Sequence, residues 1–223
     1  AAHRITRVLQ DAGHRVVNPS ATFPMEMDRF PGRIWVIAHK PVAVAAGTYI
    51  GALNVTRPLT IRGRCAAMVT LDGEDAETPT VTILPLFDSH HQKPATLEGL
   101  TITGGRGGVF HQGPSDDASG ALPLRLSRIH IRESRWVGLL TEGATAVHVT
   151  GVIVSDVKPH GAAVEARGIW ARAGATIDLH ETRVHRAMDV GVLIDGGSLH
   201  ATGLMIDGTV GVADEACANE PEC

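Results

Sequence analysis

The chain has 223 residues, a net charge of −4 at neutral pH, 43% hydrophobic side chains and 20% charged ones. That apolar content is enough to close a core and excludes a disordered chain. The mild negative balance argues against a nucleic-acid or anionic-membrane partner. Aromatic residues contribute only 4%, and there are 25 glycines; this is a β-rich, turn-rich composition. No run of about 18 uncharged apolar residues occurs, so no transmembrane helix is expected.

In chain order, residues 1–35 stand apart. Ile5, Val8 and Leu9 suit one side of a short amphipathic helix ending near Gly13, placed to cap the open end of a solenoid. Pro19, Pro24 and Pro31 then break regular structure. The start has no basic-then-apolar signal pattern, and a start without Met suggests processing or excision. Residues 36–212 carry the repeats. Leu59-Thr-Ile61, Val69-Thr-Leu71 and Val81-Thr-Ile83 read as short early strands. From there one pattern recurs: apolar, two variable residues, apolar, variable, apolar. It reads Leu97-Glu-Gly-Leu100-Thr-Ile102, Leu126-Ser-Arg-Ile129-His-Ile131, Val149-Thr-Gly-Val152-Ile-Val154, Leu179-His-Glu-Thr182-Arg-Val184 and Ala201-Thr-Gly-Leu204-Met-Ile206. Its last positions are spaced by 29, 23, 30 and 22 residues. A second pattern follows each copy, a Gly with apolar residues: Gly108-Val-Phe110, Gly138-Leu-Leu140, Gly168-Ile-Trp170, Gly191-Val-Leu-Ile194 and Gly211-Val212.

Alternation inside these segments is a strand signal, and no helix of ten or so residues fits between them. A strand returning every 22–30 residues describes one coil of an all-β parallel β-helix, whose coils bury their apolar faces only by stacking. Length variation then maps to protruding loops around 113–123 and 156–162. Residues 213–223 read as an acidic, loosely ordered tail. Of the three cysteines, Cys217 and Cys223 are close enough for a loop disulfide of the kind found in exported proteins; the alternative is three free thiols with Cys65.

The segment from Val42 to Val55 (Val-Ala-Val-Ala-Ala-Gly-Thr-Tyr-Ile-Gly-Ala-Leu-Asn-Val), followed by Pro58-Leu-Thr-Ile-Arg-Gly63, resembles the opening coils of the pectin lyase-like proteins. Gly99-Leu-Thr-Ile-Thr-Gly104 resembles a later repeat of the same superfamily. The resemblance spans about 36–212. It implies a single-stranded, right-handed parallel β-helix of about seven or eight coils, capped by the short N-terminal helix. For activity it implies little, because the superfamily holds lyases, hydrolases, epimerases, adhesins and proteins without a known reaction.

Stacking aligns equivalent outward residues in rows, one coil being roughly 4.8 Å from the next. Read from the repeat, one face carries His130, Arg132, Arg128, Arg183, His185, His180, Glu181 and Asp207. Such Arg and His density suits an acidic sugar chain, since guanidinium forks match carboxylates. A uronide lyase needs a cation on the sugar carboxylate, a base for the proton beside it and an acid for the leaving oxygen. Arg183, His185, Arg132 and His130 are candidates for these roles, with Arg128, Glu181, Asp207 and Trp136 as substrate-binding residues. The plainer alternative is that these are solubilising cross-strand pairs.

Other signals are weaker. Asp116-Asp117 is the obvious carboxylate pair for a hydrolase but reads as a solvated turn. The Asn-Thr-Asp, Asp-Asp, Gly-His-Gly and Arg-Ile-Lys set of polygalacturonase-like enzymes is missing, as are the Asp cluster and Arg-x-Pro-x-x-Arg of pectate lyases. Asp88 with His90-His91 makes a poor metal site, because adjacent strand residues point apart. Gly104 to Gly108 reads as a corner rather than a phosphate loop, and Asn54-Val-Thr56 is a glycosylation sequon or a strand-end Asn. Trp35, Trp136 and Trp170 are stacking candidates, with Trp136 the better platform. No metal or cofactor is expected; Ca²⁺ stays open, but no motif indicates it. The function expected is a secreted or cell-surface module, alone or as part of a larger surface protein, that binds polysaccharide or serves a structural role. The alternative is a lyase or epimerase on uronides.

Overall fold

A computed structural model describes residues 33–35 (backbone only), 41–74, 77–84, 93–114, 121–160 and 165–209. The expected N-terminal helix and the acidic tail with Cys217 and Cys223 lie outside these residues, as do Asp88, His90, His91, Asp116 and Asp117. The described chain is all-β, with strands following one another in threes. The first turn of the chain comprises β1 (Arg33–Trp35), β2 (Val42–Val44) and β3 (Gly47–Ile50). The second comprises β4 (Ala52–Val55), β5 (Thr60–Gly63) and β6 (Val69–Asp72), and the third β7 (Val81–Ile83), β8 (Ala95–Glu98) and β9 (Thr101–Thr103). Next come β10 (Gly107–Gln112), β11 (Leu124–Ser127) and β12 (His130–Arg132), then β13 (Val137–Glu142), β14 (Ala146–Thr150) and β15 (Ile153–Ser155). The last two turns are β16 (Arg167–Arg172), β17 (Thr176–His180) and β18 (Arg183–His185), and β19 (Val190–Asp195), β20 (Ser198–Thr202) and β21 (Met205–Asp207).

Every third strand pairs in parallel, giving three seven-stranded sheets: β1 to β19, β2 to β20 and β3 to β21. This is the arrangement of a parallel β-helix solenoid. A parallel pair needs a long crossover, and each crossover here is supplied by the other two sheets. The ladders follow the sequence repeat residue for residue. Leu71, Ile102, Ile131, Val154, Val184 and Ile206 stand in register on the third sheet. Leu97, Leu126, Val149 and Leu179 do so on the second, and Val109, Leu139, Ile169 and Val192 on the first. The buried members of these rows form one continuous core, against which Val192 packs; Ile206, on β21, is exposed.

The recurrent six-residue pattern is not one strand. It crosses a corner between the second and third sheets, with Leu97 on β8 and Ile102 on β9. The corner residue is left-handed in every copy: Gly99 (φ 64°), Arg128 (52°), Gly151 (60°), Glu181 (48°) and Gly203 (69°). Its backbone N–H donates to the next coil, as from Arg128 to Thr150 O at 3.0 Å. The following position points inward, and there Thr182 takes the place of Leu100, Ile129 and Val152, its hydroxyl donating to His180 O at 3.2 Å.

The glycines of the second pattern serve packing rather than turning. Gly108, Gly138, Gly168 and Gly191 stack in one row, since their neighbours Val109, Leu139, Ile169 and Val192 are in register. A Cβ on Gly138 would come within 2.6 Å of Gly168 O and closer still to Val154 Cγ1. The third sheet's Ile131, Val154, Val184 and Ile206 fill the room that these absent side chains leave.

A titratable residue, His111, enters the core alongside buried threonines such as Thr141 and Thr182. His111 follows Ile83 and precedes Thr141 and Ala171 in an inward row of the first sheet, and it is fully buried. Its Nε2 lies 2.7 Å from the Leu122 carbonyl, which can only accept, so Nε2 carries the proton. Nδ1 then accepts from the Thr141 hydroxyl at 3.2 Å. Desolvation lowers its pKa to about 4, although the Leu122 carbonyl favours the charged form.

Candidate functional site

The predicted face divides in two. His130, Arg132, Arg183, His185 and Asp207 do share the outer face of the third sheet. Arg128 and Glu181 sit instead at the left-handed corner, and His180 belongs to the second sheet. The reason is the corner itself: a left-handed residue swings the chain onto a new sheet, so its side chain leaves from an edge. Glu98 gathers Arg62 (Nε to Oε2, 2.6 Å) and Arg128, and Glu181 lies 3.8 Å from His180. Exposed pairs of this kind contribute little to stability.

On the third sheet the candidates form two groups. His130 and Arg132 lie on β12; Arg183 and His185 lie on β18, two coils or roughly 10 Å further on. The distal group is tied down. Arg183 donates to both carboxylate oxygens of Asp207, at 3.0 and 2.5 Å, and His185 Nδ1 lies 3.1 Å from the same carboxylate. Hydrogen bonding from Arg183, then from His185, holds the Asp207 pKa at about 2, and Asp207 in turn raises that of Arg183. An NMR titration of the side-chain carboxyls should find Asp207 ionised down to pH about 2. In the Arg183→Ala protein its midpoint should move up toward the ordinary carboxylate range, and an unmoved midpoint would show that this ion pair does not form in solution.

The proximal group opens onto space. His130 is half-buried beside Ser155 (Nε2 to Oγ, 3.0 Å), and burial, then the Arg132 charge, lowers its pKa. Arg132 makes a long ion pair with Glu133, 3.6 Å. It also faces an open groove of about 670 Å³ along β3, β6, β9 and β12. Thr48, Thr70, Asp72 and Glu74 line it toward β3 and β6, Thr103 in the middle, and Arg132, Glu133, Arg135 and Lys158 toward β12. Register explains the row: Ile50, Asp72, Thr103 and Arg132 are successive neighbours. Of these lining residues the sequence analysis named only Arg132. Extending the predicted Val69-Thr-Leu71 strand by one residue places Asp72 in the Arg132 row; no sequence signal places Lys158, which arrives from a loop.

Trp136 stands around the corner from the groove, on the first sheet's side. Its φ of 110° lies outside the regions an L residue favours. Its indole N–H donates to Glu165 Oε2 at 3.2 Å, and Arg106 lies 5.0 Å over its ring. It meets Trp170 edge-on, centroids 5.8 Å apart. Trp170 lies between the inward Ile169 and Ala171 and so points outward, yet it is buried with Val137 and Leu140 in a second small apolar cluster. Arg167 lies 4.0 Å over its ring. Neither tryptophan offers a bare ring face to the groove.

Asn54 is only 3% exposed, so the folded chain does not present this sequon to a glycosylating enzyme. Gly104 and Gly105, with φ of 70° and 65°, form the expected corner. Cys65 is an exposed free thiol. Among the described residues, no group of three His, Cys, Asp or Glu could hold a metal ion, and no helix is long and apolar enough to cross a membrane. Comparison of the chain with family models, with curated proteins and with solved structures finds no match.

Proposed function

We propose that this protein is a secreted or cell-surface carbohydrate-binding module, a single-stranded right-handed β-helix of the pectin lyase-like kind, which holds an acidic polysaccharide in the groove of its third sheet. Right-handedness follows the general preference of parallel crossovers. One observation carries the binding reading: an open groove of about 670 Å³ floored by threonine hydroxyls, with Arg132 and Lys158 at one end. Hydroxyls suit sugar hydroxyls, and a guanidinium beside an ammonium suits a sugar carboxylate. What favours binding over uronide cleavage is the separation of the candidate acid, base and Arg: His130 and Arg132 stand two coils from Arg183 and His185, and these two are tied to Asp207.

Calorimetric titration with polygalacturonate and with neutral dextran tests this. Polygalacturonate is expected to bind, more weakly as salt rises, and dextran to bind poorly. Arg132→Ala should lose about tenfold in affinity, about 1.4 kcal/mol, the scale of one charge-assisted hydrogen bond. Arg183→Ala should leave affinity within about twofold, because its guanidinium is spent on Asp207. Growth of ultraviolet absorbance from unsaturated sugar ends, lost in Arg183→Ala, would replace this reading with a lyase.

A further inference from the structure

We infer that the groove selects a polysaccharide carrying free amino groups as well as carboxylates, an inference that rests on reading the groove as a polysaccharide site. Its two ends have opposite sign. Asp72 and Glu74 stand at one end, and neither forms an ion pair with a described residue. Asp72 Oδ1 accepts the Glu74 backbone N–H at 2.8 Å, which fixes its carboxylate without supplying a cation to it. At the other end Lys158 forms no ion pair with a described residue, and Arg132 has only its 3.6 Å contact with Glu133. The Nε of Arg132 is buried without a hydrogen-bond partner.

The register keeps these charges apart. Asp72 pairs with Thr103, and Thr103 with Arg132. Two coils, roughly 10 Å, therefore separate the acidic end from the basic one, more than twice the reach of a direct ion pair of about 4 Å. Asp72 and Arg132 thus face one groove without pairing with each other; Thr103 lies between them, its hydroxyl 3.5 Å from Glu133 Oε2, and Thr48 and Thr70 add hydroxyls on the acidic side. A chain bearing carboxylates alone would set like charge against Asp72 and Glu74, an unfavourable contact that works as selection. A chain that alternates amine-bearing and carboxylate-bearing rings satisfies both ends, and the polarity of the groove sets the direction in which it lies.

The test is calorimetric titration with oligosaccharides that alternate glucuronic acid with glucosamine, once with free amines and once with the same amines acetylated. The free-amine form should bind about tenfold more tightly, the effect of one added charge-assisted contact. Asp72→Asn, which keeps the oxygen that accepts from Glu74, should erase the preference without weakening the acetylated ligand. Glu74→Gln, at an exposed position, gives the same reading should Asp72→Asn fail to fold. Arg132→Ala should weaken both ligands. Equal or tighter binding of the acetylated form, or a preference that survives both acidic-end variants, overturns the inference while polysaccharide binding stands. Failure of both oligosaccharides and of polygalacturonate to bind the folded protein removes the binding reading itself, and this inference with it.

Discussion

Replacing Gly108 with alanine should destabilise the protein by about 3 kcal/mol, the upper end of the usual range for overpacking a core, whereas the same change at Gly107 should cost less than about 1 kcal/mol. The two glycines are adjacent in β10 but face different surroundings. A methyl group on Gly107 would meet Val137 Cγ1 at 3.3 Å and little else, a contact that a side chain can relieve. A methyl group on Gly108 would lie 2.6 Å from the carbonyl oxygen of Gly138 and 2.9 Å from Ser134 Oγ, and closer still to Ile131 Cγ2. The carbonyl belongs to the neighbouring strand, so relief at Gly108 means prying two coils apart. The same crowding against a neighbouring carbonyl recurs at Gly138 and Gly168, while at Gly191 a methyl group would meet Ile206 Cγ2; the cross-section of the solenoid is as narrow as these glycines allow. Thermal denaturation reads the difference: at roughly 2–4 °C per kcal/mol for a chain of this size, Gly108→Ala should melt roughly 6–12 °C below wild type. A melt within a degree or two of Gly107→Ala would mean that the row of glycines is not packed as described.

Acidification should weaken the fold through His111. Its pKa is about 4 in the folded protein, and 6.5 is its ordinary value. The folded form therefore binds the proton less readily than the unfolded chain. Stability from this residue is fully present above pH about 6.5 and falls as the pH drops toward 4. The full difference corresponds to about 3 kcal/mol, a large part of a normal margin of stability. Protonation would turn Nδ1 from acceptor to donor, so the Thr141 hydroxyl would have to rotate to accept from it, and a cation would stand in the apolar core. Denaturant midpoints measured from pH 7 down to 4 should fall more steeply for wild type than for His111→Leu. That variant should be less stable at pH 7, because it strands the Thr141 hydroxyl and the Leu122 carbonyl, yet have a flatter profile. Parallel profiles for the two proteins would assign the acid sensitivity to other groups.

The coils were legible in the sequence to the residue. The spacing of Ile102, Ile131, Val154, Val184 and Ile206 is the register of the third sheet, because an inward row of a solenoid admits only side chains that fill it, and a slip of one residue would turn every one of them to solvent. Gly108, Gly138, Gly168 and Gly191 were legible as a row for the same reason, while Gly211 lies outside the described residues. Less legible was the corner inside the repeat. Arg128 and Glu181 occupy left-handed positions that Gly holds in the other three copies, and a polar residue there is indistinguishable in a string from one on a strand face. The alternation of Gly with Arg and Glu at that one position was the available signal.

The candidate site divided along the same line. Arg132, His185 and Asp207 were visible as members of one outward row, and His130 and Arg183 as members of the outward row beside it. That Arg183 and His185 converge on Asp207 while Arg132 opens onto a groove depends on side-chain reach between coils, which periodicity does not carry. By itself, the sequence determined the class of fold, the identity of the inward rows and the outward strand positions of His130, Arg132, Arg183, His185 and Asp207, because these follow from which side chains must leave water and from a spacing that repeats. Only the tertiary structure decided where the chain turns between sheets, which charges neutralise one another, and that Asp72, Arg132 and Lys158 meet around one groove. Residues so far apart in the chain are brought together by stacking and loop path, and their mutual distances are properties of the folded solenoid alone.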